Sequence, residues 1–484
     1  MADKKFSQVY VENVLDPAYR NWKANFYAAS LKVHKAHLCM LYETGIISKD
    51  KAKEIAGGIA YLEHEFSAPG HIPEGVEDLY FLFEKALGQQ IGDENAAWLH
   101  TARSRNDMDT TIFRLVLREE LAVLIERLQV FSKALLARCL QGENELTVLF
   151  THGQPANPST TAHYLSSFLM ETIGDMKWIV QALADVNQST MGACAITGSG
   201  FPVDRQYVSD LLGFENYIPN TYQAVSTSHW LVNAASTIRN LMIDIGRFAA
   251  DLLHKASSEV GLYRFPDDLV QVSSIMPQKR NPVILEHIRI QAEMVAGACD
   301  AVAHSFLNVP YQDVNENADM IISKLIETIH ESTSVIDLLQ ESVLKMKSDP
   351  ARAREICRQF GVTTTELADS LVRIYGIGFR KAHHICAEYV ASGYDIQTLR
   401  DSFFKETMQA LDLSNSRIEE ILDLGTFIQV RKTPGGPSHE GIKAVYARAE
   451  EMLGDMEKNI ISVKSKWHRA DDALEEAFKA LIAG

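Results

Sequence analysis

The chain is 484 residues long, 46% hydrophobic and 23% charged, the composition of an ordinary soluble globular protein with ample apolar side chains for a sizeable core. A formal net charge of -16 excludes the basic surplus that non-specific nucleic-acid binding requires, although a pocket for a small dianion needs only a few local cations. The six cysteines are scattered, with neither C-x-x-C nor zinc-ligand spacing, which suits a reducing cytoplasm, and no apolar run approaches the ~20 residues of a membrane span.

From the N-terminus, Met1-Ala2-Asp3-Lys4-Lys5-Phe6 has no apolar stretch behind its lysines, so no secretory signal is expected. Shorter helices and loops are expected to residue 107, where a polar segment, Leu99-His100-Thr101-Ala102-Arg103-Ser104-Arg105-Asn106-Asp107, leads into long helices. Leu117, Leu121, Leu124, Leu128, Phe131 and Leu135 then recur at spacings of three and four, which puts one apolar seam on a long helix. A second polar segment, Thr151-His152-Gly153-Gln154-Pro155-Ala156-Asn157-Pro158, is a break before a helix around Tyr164 to Met170. Strand signals are scarce, and Ile196-Thr197-Gly198-Ser199-Gly200 reads as a loop between helices. Leu231, Ala234, Ile238, Leu241, Ile245, Phe248 and Leu252 form another seam. A third polar segment, Val272-Ser273-Ser274-Ile275-Met276-Pro277-Gln278-Lys279-Arg280-Asn281-Pro282, precedes a helical run from Val283 to Phe306. Shorter amphipathic helices return from about 351. The expected class is all-α, in three units: a mainly helical 1–107, a central long-helix bundle over 108–350, and a small helical 351–484.

The three polar segments carry the chemistry. Arg103, Ser104, Arg105 and Asn106 offer many donors, and arginine forks match carboxylates in a bidentate way. Ahead of a helix, the same segment can aim backbone N–H groups at an anion, or simply be a solvated helix start. His152, between a hydroxyl and a glycine, is suited either to proton transfer or to capping. In the third segment, Lys279 near Ser273 can favour the alkoxide. Lys279 and Asn281 can hold a carboxylate whose charge doubles as the adjacent carbon loses its proton. A phosphate cradle is disfavoured, because the stretch has no glycine and G-x-x-x-x-G-K-[ST] is absent.

With these segments in hand, the chain resembles the fumarase/aspartase superfamily, through Ser273-Ser274-Ile275-Met276-Pro277-Gln278-Lys279-Arg280-Asn281-Pro282, and within it argininosuccinate lyase. Thr101 to Asp107 is similar to that family's T-G-R-S-R-N-D, with Ala102 for glycine. Gly198 to Arg205, Phe379 to Ile385 and Val430 to Gly436 match too, while Thr151 to Ala156 looks more like adenylosuccinate lyase. The resemblance implies a three-domain fumarase/aspartase-type fold, a homotetramer whose central helices form its core, and active sites shared by three subunits. It gives the apolar seams a second use as subunit interface. It implies an enzyme that acts on a small dicarboxylate and releases fumarate; that chemistry requires no cofactor, no metal site is visible in the residue spacing, and the scattered cysteines point to the cytoplasm.

Roles follow by motif position. Ser273 is implied to abstract the Cβ proton of a succinyl group, with Lys279 and Asn281 stabilising the adjacent carboxylate. His152 is implied on the acid side or in orientation, with Glu286 as partner. Ser104, Asn106 and Thr151 are implied to bind the two carboxylates, and Arg103, Arg105, Gln154 and Tyr311 to contribute to substrate binding. A dry pocket would lower the serine pKa through the lysine and aligned N–H groups, and a loop closing over substrate would exclude water.

Several positions depart from argininosuccinate lyase. Val272 replaces a glycine, which stiffens the loop. Tyr80 replaces the histidine of E-D-(I/V)-H, and Ala18-Tyr19-Arg20 stands for A-Y-D. Ser226-Thr227-Ser228-His229 stands for S-E-R-D, and Tyr311 to Asp319 lacks the basic residues of Y-N-(K/R)-D-L-Q-E-D-K. The succinyl end is kept and the amine end altered, so the expected activity is a C–N lyase for a different N-succinyl amine or amino acid. The alternatives are a genuine argininosuccinate lyase, a C–S lyase on a succinylated thiol, or a non-catalytic crystallin-like protein. The last is opposed by the joint presence of Ser273, Lys279, Asn281 and His152.

Overall fold

The computed structural model describes residues 6–483, so the reading over Met1 to Lys5 lies outside the described residues. The labelled helices are α1 Tyr27–Glu43, α2 Lys49–Glu65, α3 Leu79–Ile91, α4 Arg105–Gln141, α5 Thr161–Val186, α6 His229–Lys255, α7 Val283–His304, α8 Asn315–Lys345, α9 Pro350–Gln359, α10 Thr364–Tyr375, α11 Phe379–Ala391, α12 Ile396–Thr407 and α13 His439–Ala483. The expected all-α class is what the chain adopts. No helix among the described residues is long and apolar enough to cross a membrane.

The two seams become buried helix faces. Leu117, Leu121, Leu124 and Leu128 on α4 are fully buried, as are Leu231, Ala234, Ile238 and Leu252 on α6. At about 25 cal/mol per Å² of apolar area, such stripes hold the bundle together. They are used up inside one subunit, which corrects the expectation that they double as interface. The apolar side chains left exposed lie on other faces: Val123 and Val130 on α4, Trp178 on α5, Ile243 on α6, Met294 on α7.

Helix direction sets where the site segments go. Helix α4 has 37 residues and α8 has 31, roughly 55 and 45 Å at 1.5 Å per residue. They run side by side in the same direction: Asn315 donates to Asp109 at 3.2 Å near their starts, and His330 meets Glu120 at 2.8 Å farther along. Helices α6 and α7 are antiparallel, joined by Arg239 and Asp300 at 2.9 Å.

One local element differs from expectation. Residues 151–158, expected as a break before a helix, belong to a hairpin of β1 Leu146–Thr151 and β2 Gln154–Thr160. Its two-residue turn is His152 (φ 54°) and Gly153 (φ 73°). Left-handed conformations at both positions match the twist of the flanking strands, as in a type I′ turn. Pro155 and Pro158 hide β2 from sequence reading, because proline cannot donate to a ladder.

The stretch 351–484 divides between two cores. Leu367, Leu371, Ile385 and Phe403 of α10–α12, with Ile418 from the short helix Asn415–Ile421 that follows, form a core of their own. Helix α13 instead returns along the main body, burying Ile442, Ile460, Trp467 and Phe478 there. Lys35 and Glu475 pair at 2.6 Å, which ties its far end to α1.

Candidate active site

At the start of α4, Ser104 is the N-cap: its Oγ accepts the Asn106 N–H at 3.4 Å and its own N–H donates to Asp107 at 2.9 Å. A serine with an acid three residues on is a readable helix-start signal. Asp107 does more than cap. Its other oxygen accepts the N–H groups of Gly192 and Cys194, both at 2.9 Å. Burial pushes the Asp107 carboxyl up to about 6, against the pull of these three donors. The side chain of Asn106 donates to Ala195 O at 3.2 Å, so the loop after α5 is pinned to the motif at several points. Sequence reading did not single out Asp107 for this role.

The two arginines are committed internally. Arg103 is buried and donates to His34 Nδ1 at 2.9 Å. Burial and the Arg103 charge hold His34 well below its ordinary range, so the ring is neutral and accepts. Arg105 pairs with Asp109 at 2.8 Å and with Asp78, and its guanidinium lies 5.3 Å from the Tyr80 ring centre. Ser104 and Asn106 are partly exposed beside them. Ala102, where the matching motif has glycine, is left-handed at φ 59°.

The third polar segment forms a loop closed by a short antiparallel pair, β3 Gln271–Val272 and β4 Arg280–Asn281, with Val272 opposite Arg280. At its head the Ser273 Oγ accepts the N–H of Met276 at 3.0 Å and of Ile275 at 3.3 Å. Two N–H groups aimed at one oxygen favour its anionic form. The Ser273 N–H in turn donates to Lys279 O at 3.4 Å, which holds Lys279 across the loop from Ser273. The Lys279 side chain is exposed. Val272 and Ile275 are 73% and 83% exposed, unusual for apolar residues. Asn281 is half-buried at the loop's foot, and Glu286 lies in the first turn of α7. At the hairpin, Thr151, His152 and Gln154 are exposed. Among the described residues no hydrogen bond joins His152 to Glu286.

These segments stand at opposite ends of the bundle. The hairpin base follows the far end of α4, where Arg138 and Glu145 pair at 2.8 Å. The 272–282 loop adjoins the far end of α8, where Lys345 reaches Asp268. Ser104 and Asn106 lie a full helix length away, roughly 55 Å. One subunit therefore does not bring Asn106 to Ser273 or His152. Apart from Val272, which lies in the loop itself, the positions that depart from argininosuccinate lyase gather instead at the α4 start. Trp22, two residues after Arg20, donates to Asp319. Arg20 itself is exposed and pairs with Asp16 at 3.0 Å. Tyr80 bonds His100 at 2.6 Å. Ser228 and His229 begin α6, and Tyr311 and Glu316 flank the start of α8.

A lyase family model matches residues 16–297, and an argininosuccinate lyase C-terminal model matches residues 361–429. Argininosuccinate lyase 2 of Agrobacterium fabrum is 36% identical over 487 residues, covering 98% of this chain and 96% of that protein. The chain belongs to the fumarase/aspartase superfamily, close to argininosuccinate lyase. It is a divergent member: argininosuccinate lyase 1 of Shouchella clausii is 29% identical, covering 96% of this chain and 95% of that protein. The superfamily fold is matched by an EDDS lyase variant solved with bound fumarate, at a TM-score of 0.83 and 24% identity, covering 100% of this chain and 97% of that one. As a superfamily member the protein is a lyase.

Proposed function

We propose that this lyase eliminates an amine or amino acid from an N-succinyl substrate and releases fumarate, in sites each assembled from three subunits of a homotetramer. The observation that carries the reading is the paired N–H donation to Ser273 Oγ. The serine oxygen, as alkoxide, takes a proton from the succinyl Cβ. That C–H electron pair becomes the Cα=Cβ bond of fumarate, and the Cα–N pair leaves with nitrogen, which accepts a proton from the His152 side. The adjacent carboxylate becomes doubly charged on the way. Lys279 and Asn281 are the donors for it, each worth about 3–4 kcal/mol if fixed in a closed site. Ser104, Asn106 and Thr151, contributed by other copies, hold the carboxylates. The wide separation of the motif segments within one chain supports this shared arrangement, and the exposed apolar faces of α4 to α7 suit it.

The altered amine end supports a substrate other than argininosuccinate. The competing substrate is argininosuccinate itself, favoured by the 36% identity to argininosuccinate lyase 2. The test runs the reaction backwards: fumarate is incubated with a panel of amines, amino acids, diamines and thiols, and adducts are found by mass. Adducts that vanish in Ser273→Ala support the elimination. Fumarate release from argininosuccinate as efficient as from any alternative would return the enzyme to the argininosuccinate reading.

A further inference from the structure

A cleft of 260 Å³ opens beside the α4 start, between the turn that leads into α6 and the turn that joins α7 to α8. One wall is apolar, with Phe306, Val309 and Pro310. The other is polar, with Gln223, Ser226, Thr227, Ser228 and His229. No Asp, Glu, Lys or Arg lines it. Ser226 is 5% exposed and its Oγ is sealed from solvent without a hydrogen-bond partner. That unpaired hydroxyl gains a partner once the cleft wall yields enough for a ligand atom to reach it.

The cleft is fastened to the segment that carries Asn106. Val314, which lines it, donates to Val225 O at 3.0 Å. The next residue, Asn315, donates to Asp109, one turn beyond Asn106 on α4. A substrate held by Asn106 would therefore have its amine substituent beside this opening. A guanidinium or ammonium placed there would lose hydration and meet no counter-charge. An apolar group would lose nothing and release water. At ~30 Å³ per water the cleft holds about nine, room enough for a branched aliphatic or aromatic side chain.

We propose that this cleft receives the side chain of the leaving amine, and that the preferred leaving group carries an uncharged, largely apolar side chain whose polar edge, where present, meets Ser226. The assignment rests on the elimination proposed above and names its substrate class. The test uses the full enzyme with fumarate and four amino acids, leucine, phenylalanine, arginine and lysine, with adduct formation followed by mass. The expected result is kcat/KM at least tenfold higher for leucine or phenylalanine than for the two cationic amino acids. Val309→Trp, which fills the cleft, should raise the KM for the apolar amine tenfold or more and leave inhibition by succinate unchanged. Val309→Asp should shift the preference towards lysine and arginine. Equal or better addition to arginine or lysine would overturn the cleft assignment while leaving the elimination standing. No adduct with any amine would overturn both. A change of oligomeric state in Val309→Trp without a change in amine KM would make the cleft a contact between copies and overturn the assignment.

Discussion

Asp175 on α5 has one carboxylate oxygen sealed from solvent and without a hydrogen bond. Burial first, then the charges of Asp244 and Glu171, pushes its carboxyl up to about 7 from an ordinary 3.8. A folded-state value above the unfolded one means that folding favours the neutral acid. The associated stability is full below about pH 4 and is lost as pH rises to about 7. Asparagine resembles the neutral acid and does not titrate, so Asp175→Asn should gain on the wild type over that window and level off above it. The interval from 3.8 to about 7, at about 1.36 kcal/mol per pH unit, corresponds to about 4 kcal/mol. Solvent along the open helix face screens part of this, which leaves about 2 kcal/mol at pH 8. At pH 5 the wild type has already lost the larger part of it, so the two gains should differ by about 0.6 kcal/mol. Urea unfolding of both proteins at pH 5 and pH 8, at one fixed protein concentration because assembly shifts apparent stability, measures the difference. Equal gains at the two pH values would refute the reasoning.

Ser273→Ala should lower kcat by about 10²- to 10⁴-fold with inhibition by succinate unchanged; a small effect on turnover removes Ser273 as the base. Asn106→Ala and Ser273→Ala should each be nearly inactive, yet co-assembly of the two should restore activity in roughly a quarter of sites by random assortment. Mixed assemblies with no regained activity, purified by two different tags, would argue that each site is complete within one chain. Ala102→Gly should relieve the left-handed backbone strain and stabilise by about 0.5–1 kcal/mol, read as a later urea midpoint; an earlier midpoint refutes it.

Much of this was legible in the sequence because it depends on short-range periodicity or on a local motif. The seam from Leu117 to Leu135 specifies a helix face at a 3.5-residue spacing, and it is buried as such. The loop at Ser273 was legible because its residue types, rather than its conformation, carry the chemistry. The His152 hairpin was not, since β2 contains two prolines and pairs by register rather than by periodicity. Nor could residue spacing show that Arg103 is spent on His34 or that Arg105 reaches Asp78, because those partners come from distant segments, whereas the Arg105–Asp109 pair sits at i and i+4 on one helix. The orphaned hydroxyl of Ser226 likewise depends on a turn more than 80 residues away in the chain.

Helix α4 can also be regarded as a ruler. Its N-terminal end presents Ser104 and Asn106, and its C-terminal end launches the hairpin that carries His152. In an assembly whose sites join one copy's beginning to another copy's end, the length of this rod sets the spacing of every site. Deleting seven residues within it would preserve the seam's register yet draw the two ends about 10 Å closer. An insertion of the same size in the surface turn after Ser392 would cost little. The surroundings of the rod's ends, where Tyr80 and His229 stand on neighbouring helices, can therefore change far more freely than its length.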